Sequence, residues 1–260
     1  MEGKRLNGEL AIVTGADSGI GQATAIAFAH EGADVVITYL HDRDGAERTA
    51  REVEAAGRKA AVYQADQRES KNVRELFQYV RQSIGLPTIL VNNAGVDATG
   101  KHVKDMTDED WELAIRTNLS GPFYYCREFI RGIEGSGRHG TIINITSVHQ
   151  EIPRAGAAGY DASKGGLRNL TTTLALELSE RNINVNNIAP GMVLTPMNQQ
   201  AMDDPEAEKQ QVQSIPMKRA AKPEEIAHVA VFLASEQARY IQGTTIVVDG
   251  ALMLFQGQGA

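Results

Sequence analysis

An α/β fold on one doubly wound parallel sheet is predicted by three features of this 260-residue chain. Short β-rich runs alternate with longer amphipathic stretches, the pattern of βαβ units joined by right-handed crossovers. Several of the short runs are nearly all apolar, as strands covered on both faces must be. The first run leads into a glycine-rich turn that opens a helix, which favours an open sheet over a closed eight-stranded barrel. About seven strands are expected, with helices on both faces of a single domain spanning residues 1–260.

The first strand is read at Leu10–Thr14 and the first helix near 20–31. Asp34–Tyr39, Lys59–Tyr63 and Ile89–Val91 supply three more strands, separated by amphipathic stretches near 43–56 and 69–84. A long helix near 108–131 begins at Thr107, with Asp110 at the spacing of a capping box. Thr141–Thr146, a helix near 160–181 and Ile183–Ile188 follow. Pro223, with Glu224 and Glu225 behind it, opens a last helix near 223–235. Thr245–Val248 completes the sheet.

Composition narrows the function. With 26 basic and 33 acidic side chains the net charge is −7, so the chain has no evident means of tracking a nucleic-acid backbone. The single cysteine, Cys126, cannot form an internal disulfide. No apolar run approaches the roughly 18 residues of a membrane span. The opening residues pass from charge into a strand without a signal-peptide core, so a cytoplasmic protein is expected. Histidines 30, 41, 102, 139 and 228 show no metal-binding spacing, and no metal is expected.

Two motifs carry chemistry. Thr14-Gly15-Ala16-Asp17-Ser18-Gly19-Ile20-Gly21 links strand to helix. Such a turn either cradles a pyrophosphate at the helix N-terminus or merely lets the helix pack closely on the sheet. Tyr160 and Lys164 stand at i, i+4 and so share one helix face. They are either a solvated pair or a phenol whose pKa an ammonium lowers for proton transfer to and from an alcohol oxygen. Ser147, ending the strand GTIINITS, would lie at the carboxyl edge of the sheet, where its hydroxyl can reach the same oxygen.

Taken with NNAG at Asn92–Gly95, Asn118 in TNLSG and PGMVLT at Pro190–Thr195, these motifs closely resemble the short-chain dehydrogenase/reductase family, a Rossmann-type fold. The resemblance covers essentially the whole chain, in the family's order and spacing. It implies an NAD(P)-dependent oxidoreductase with Tyr160 as general acid/base, Lys164 lowering its pKa and holding the nicotinamide ribose, and Ser147 orienting the reacting oxygen. Asn118 would hold a helix distortion and a water in the proton relay. The turn residues Gly15, Ser18, Gly19, Ile20 and Gly21 would hold the phosphates. Asn93 and Ala94 would meet the ribose, Pro190, Val193 and Thr195 the carboxamide, and Asp66 the adenine. Gln67 replaces the family's usual valine there. Tyr39 stands where an acid would mark an NAD enzyme. His41 and Arg43 are cations suited to a 2′-phosphate, though Asp17, Asp42 and Asp44 surround them; dual use or a lean to NADP is expected.

Within the family, SVHQEIP, GMVLTPMNQQAMDDPE and the GQGA tail look like bacterial glucose 1-dehydrogenases. That likeness implies Asp97, His149 and Asn198 as sugar contacts. Each has a plain structural reading as well: an Asx-turn, a surface imidazole and a helix cap. Residues 192–216, with Met192, Met197 and Met202, are expected to form a lid over the nicotinamide. A carbonyl or 3-oxoacyl thioester reductase shares every motif, and a non-catalytic nucleotide-binding regulator is the remoter alternative. The family's habit of pairing its two long helices implies a homotetramer, with the apolar tail Ala251–Phe255 as a further contact.

Overall fold

The computed structural model describes residues 4–98, 100–196 and 204–255. The strands are β1 (Leu10–Val13), β2 (Asp34–Tyr39), β3 (Ala60–Gln64), β4 (Ile89–Asn92), β5 (Gly140–Ile145), β6 (Ile183–Pro190) and β7 (Thr245–Val248). All pair in parallel, in the order β3-β2-β1-β4-β5-β6-β7. The expected seven-stranded doubly wound sheet is present, and its order reverses between β1 and β4, where such folds open a crevice.

Strand alternation divides the core into two layers. Ala11 and Val13 of β1 join Phe28 of α1 (Gly19–His30), Val53 of α2 (Arg43–Ala55) and a final helix across the first face. Leu10 and Ile12 join Phe77 of α3 (Ser70–Ser83) and the helices of the second face. Fully burying side chains such as Phe28, Ile12 and Phe77 contributes about 1.5–3 kcal/mol each.

The helix expected near 108–131 is broken in two. α4 (Asp108–Ile115) gives way to a π turn at Arg116–Ser120, and α5 (Gly121–Ile133) resumes beyond it. The Gly121 N–H reaches back to the Arg116 carbonyl, the i→i+5 bond of a π-bulge. Thr107 and Asp110 form the reciprocal capping box, at 3.2 and 3.0 Å. The helix expected at 160–181 is α6 (Ala158–Leu178), followed by a 3₁₀ turn to Arg181. α7 (Pro205–Gln211) and α8 (Pro223–Ala234) complete the set.

A chain of buried hydrogen bonds crosses the sheet beneath the crevice. Asn92 Nδ2 donates to Asn144 Oδ1 (2.7 Å), Asn144 Nδ2 to Thr171 Oγ1 (2.7 Å), Thr171 Oγ1 to Asn187 Oδ1 (2.6 Å) and Asn187 Nδ2 to Thr245 Oγ1 (3.1 Å). The chain pins α6 to β4, β5, β6 and β7 at fixed register. Cys126 sits against Asn92 with its thiol pushed up by burial to about 12, a packing residue rather than a nucleophile.

Candidate active site

A cleft of about 630 Å³ opens at the carboxyl edge of the sheet, of a size suited to a cofactor and a small substrate. Its floor is the glycine turn. Gly15 holds φ +61°, and a Cβ there would stand 2.9 Å from Ala94 Cα. At Gly21 a Cβ would fall 2.2 Å from the Gly15 carbonyl oxygen, so Gly21 packs behind the turn and is not among the cleft-lining residues. Thr14 Oγ1 accepts from the N–H groups of Asn93 (2.9 Å) and Ala94 (3.0 Å). Asn93 Nδ2 donates back to the carbonyls of Thr14 (2.9 Å) and Gly15 (3.1 Å). The two motifs thus brace each other. The Ser18 side chain makes no capping bond to α1, which leaves the first-turn N–H groups without a side-chain acceptor, an arrangement that suits an anion.

Gly15, Ser18, Gly19, Ile20, Tyr39, Asn93 and Ala94 line this end of the cleft, as do Asp66 and Gln67. Arg68 grips both carboxylate oxygens of Asp66 and holds it below the usual carboxylate range. Gln67 Nε2 donates to the carbonyls of Ala94 (3.0 Å) and Thr117 (2.7 Å), tying the loop after β4 to the π turn. Pro190, Val193 and Thr195 line the opposite wall. Thr195 lies over the turn, 3.1 Å from where a Gly19 Cβ would be.

At the far end, α6 presents Tyr160 and Lys164 to the cleft beside Ser147. Lys164 Nζ donates to the Ile145 carbonyl (2.9 Å) and stands 5.6 Å from the Tyr160 ring centroid. Burial depresses the Lys164 ammonium to about 8. Burial also pushes the Tyr160 phenol above its ordinary value, and a hydrogen bond to Ser147 offsets only part of this. Arg154 acts on the phenol in the lowering direction and Asp97 and Asp161 in the raising one, with burial the largest influence.

Asn118 sits in the π turn, 1% exposed, behind the cleft wall. Its amide pairs with the Val96 backbone both ways, accepting at 2.9 Å and donating at 3.0 Å. A Cβ at Gly95 would lie 3.1 Å from Asn118 Oδ1 and 3.7 Å from Lys164 Nζ, so glycine keeps this corner open.

The residues expected to meet a sugar are placed less directly. His149 packs edge-on to Tyr160, centroids 6.0 Å apart. Its Nδ1 meets the Ile152 carbonyl at 2.9 Å; a carbonyl only accepts, so Nδ1 carries the hydrogen and Nε2 is left an acceptor. Asp97 pairs with Arg154 at 3.2 Å, and neither Asp97 nor His149 lines the cleft itself. Asn198, Met197 and Met202 lie outside the described residues. Sequence reasoning missed Arg154, which is placed by Asp97 57 residues away, and also Arg68, whose partner Asp66 is only two residues off, and Leu113.

No described helix is long and apolar enough to cross a membrane. The described residues hold no group of His, Cys, Asp or Glu that could bind a metal.

A parallel sheet carrying a glycine turn at its first helix, with Ser147 and Lys164 buried beside a half-buried Tyr160, defines a class of oxidoreductase. Residues 15–252 match the family model described as Enoyl-(Acyl carrier protein) reductase. The chain is 42% identical to 3beta-hydroxysteroid dehydrogenase 1 of Eggerthella lenta, over 97% of this chain and 96% of that one. It is 37% identical to glucose 1-dehydrogenase 2 of Bacillus subtilis, over 98% of both. A solved Agrobacterium tumefaciens structure with bound NADP matches at TM-score 0.88 and 31% identity, covering 98% of this chain and 100% of the other. The chain belongs to the short-chain dehydrogenase/reductase family, an oxidoreductase acting on CH–OH groups whose family uses NAD(P).

Proposed function

We propose that the protein oxidises one hydroxyl of a sugar or related polyol, with NAD(P) as hydride acceptor. The observation that carries this reading is the polar group set around Tyr160. His149 packs edge-on to the Tyr160 ring and in its neutral form keeps Nε2 as an acceptor, and the Asp97–Arg154 pair supplies an acceptor and a donor. A substrate with several hydroxyls needs such partners, and a polar site rejects analogues that lack them.

The residues present fit a dinucleotide. The turn leaves a cradle that Cβ atoms would fill, and the cleft runs from Tyr39 past Ser147 to Thr195. Gly15, Ser18, Gly19 and Ile20 would hold the phosphates, Asn93, Ala94 and Lys164 the ribose, and Pro190, Val193 and Thr195 the carboxamide. When bound, the nicotinamide supplies the hydride chemistry. Ser147 orients the substrate oxygen, and Tyr160 accepts its proton as the C–H bond breaks, returning it in the reverse direction. Tyr160 acts here as the phenolate, which Lys164 stabilises, and leaves the step as the phenol. Asn118, through Val96, fixes the loop on which this arrangement rests.

A second reading is supported by the apolar lining of Val96, Leu113, Ile145 and Pro196 and by the hydroxysteroid dehydrogenase relative. It makes the substrate a secondary alcohol on an apolar skeleton, or its ketone. A panel of aldoses, polyols, hydroxysteroids and 3-oxoacyl thioesters, followed by nicotinamide absorbance with both dinucleotides, separates the two. The sugar reading expects turnover with aldoses or polyols at least tenfold more efficient than with apolar alcohols. The reverse order would replace it.

A further inference from the structure

The acid that would mark an NAD enzyme at the end of β2 is replaced by Tyr39, which is 8% exposed. A carboxylate nonetheless reaches that end of the cleft by another route. Asp17, in the glycine turn, lines it together with Tyr39, Leu40, His41 and Asp42. The turn is tied to β2 by the Ala16 N–H on the Thr38 carbonyl (3.1 Å). Gly45 lets α2 close on it, since a Cβ there would stand 2.6 Å from the Asp17 carbonyl and 2.4 Å from Asp42 Oδ2. We propose that Asp17 is the anchor for the adenosine ribose diol, supplied from the glycine turn in place of the missing β2 acid, and that it selects NAD over NADP.

The surrounding charges support this. Among the described residues the Asp17 carboxylate makes no salt bridge, and its own N–H is the hydrogen-bond donor that steadies it. Burial, with Asp42 nearby, raises its carboxyl from the ordinary value, so a pair of hydroxyl donors would be welcome there. A 2′-phosphate would instead bring further negative charge beside Asp17 and Asp42. The cations within reach are already engaged. Arg43 is on Glu47 (2.7 Å), Arg48 on Asp42 (3.5 Å) and Arg68 on Asp66 (2.5 Å). Among the described residues, Arg48 already opposes Asp42 and His41 is the cation acting on Asp17, while the residue next to Tyr39 is the uncharged Leu40. The Arg43 expected to meet a 2′-phosphate is turned to its own helix.

This inference rests on the dinucleotide reading above, and direct binding keeps the two apart. Titration calorimetry with NAD and with NADP is applied to the wild type and to the Asp17→Asn and Asp17→Ser variants, each checked for an unchanged melting temperature. The wild type is expected to bind NAD at least tenfold more tightly than NADP. Both variants should lose about tenfold in NAD affinity while NADP affinity holds or rises. Equal wild-type affinities, or variants that weaken both dinucleotides alike, would overturn the role of Asp17 and leave the dehydrogenase reading standing. Binding of neither dinucleotide would overturn both. If Asp17→Asn fails to fold, the Asp17→Ser ratio decides, and the wild-type ratio stands as a test without any variant.

Discussion

Lys164 shows how the site trades stability for chemistry. Its ammonium titrates near 8 in the folded chain against 10.5 for an ordinary lysine. Between those values the unfolded chain binds more protons, so stability rises with pH across that window and is lowest below it. The neutral-pH penalty is about 3 kcal/mol at most, less about 1 kcal/mol for the bond to the Ile145 carbonyl. Lys164→Met is therefore expected to be inactive yet more stable than wild type at pH 7, with the gap closing above pH 10. Melting curves across pH check this, and a variant less stable at pH 7 would count against it. Arg154 offers a second residue-scale test: Arg154→Ala should raise KM for a polyol about tenfold, worth about 1.4 kcal/mol, with kcat little changed. An unchanged KM would remove the Asp97–Arg154 pair from recognition. Tyr160 and Lys164 were legible because helical periodicity alone sets them side by side. Asp17 and Arg154 were not assigned roles, because their meaning comes from partners reached through tertiary packing, Asp42 by way of Gly45 and Asp97 across a loop.

Among the elements, the break between α4 and α5 is legible only through the family resemblance, which sets a helix distortion at Asn118; composition and periodicity read straight through it. Residues 116–120 have ordinary helical composition, and the i→i+5 bond is rewarded only by the pairing of Asn118 with Val96. The polar chain from Asn92 to Thr245 was invisible, since its members lie on five elements. Thr171→Val leaves Asn144 Nδ2 and Asn187 Oδ1 buried without their partner, and should cost about 1–3 kcal/mol in urea unfolding. A loss below half a kcal/mol would mean the chain contributes little. The expected lid is partly described. Met192 and Leu194 pack with Val212 and Ile215, and the Leu194 N–H donates to the Ala221 carbonyl at 3.0 Å. Residues 204–216 should gain hydrogen-exchange protection on adding dinucleotide. Equal protection with and without it would make them a plain packing segment.

At the scale of the molecule, the open parallel sheet and its two helix layers followed from apolar patterning and the glycine turn, because a parallel sheet must bury both faces. Self-association is less local. Leu176 on α6 is 84% exposed and Phe123 on α5 is 42% exposed, on the two helices expected to pair, and Leu254 in the tail is 78% exposed. We propose that these faces meet in a homotetramer of closed symmetry. Light scattering at micromolar concentration should give the four-chain mass, and a monomer would dispose of it. Turnover is expected to depend on one proton donor and acceptor, Tyr160. The most direct test of this measures dinucleotide binding and nicotinamide reduction together in wild type and Tyr160→Phe, with whichever alcohol the panel selects. The variant should bind dinucleotide within a factor of about three of wild type and lose roughly 100-fold or more in turnover. A Tyr160→Phe enzyme that kept more than about a tenth of wild-type turnover would contradict the central claim.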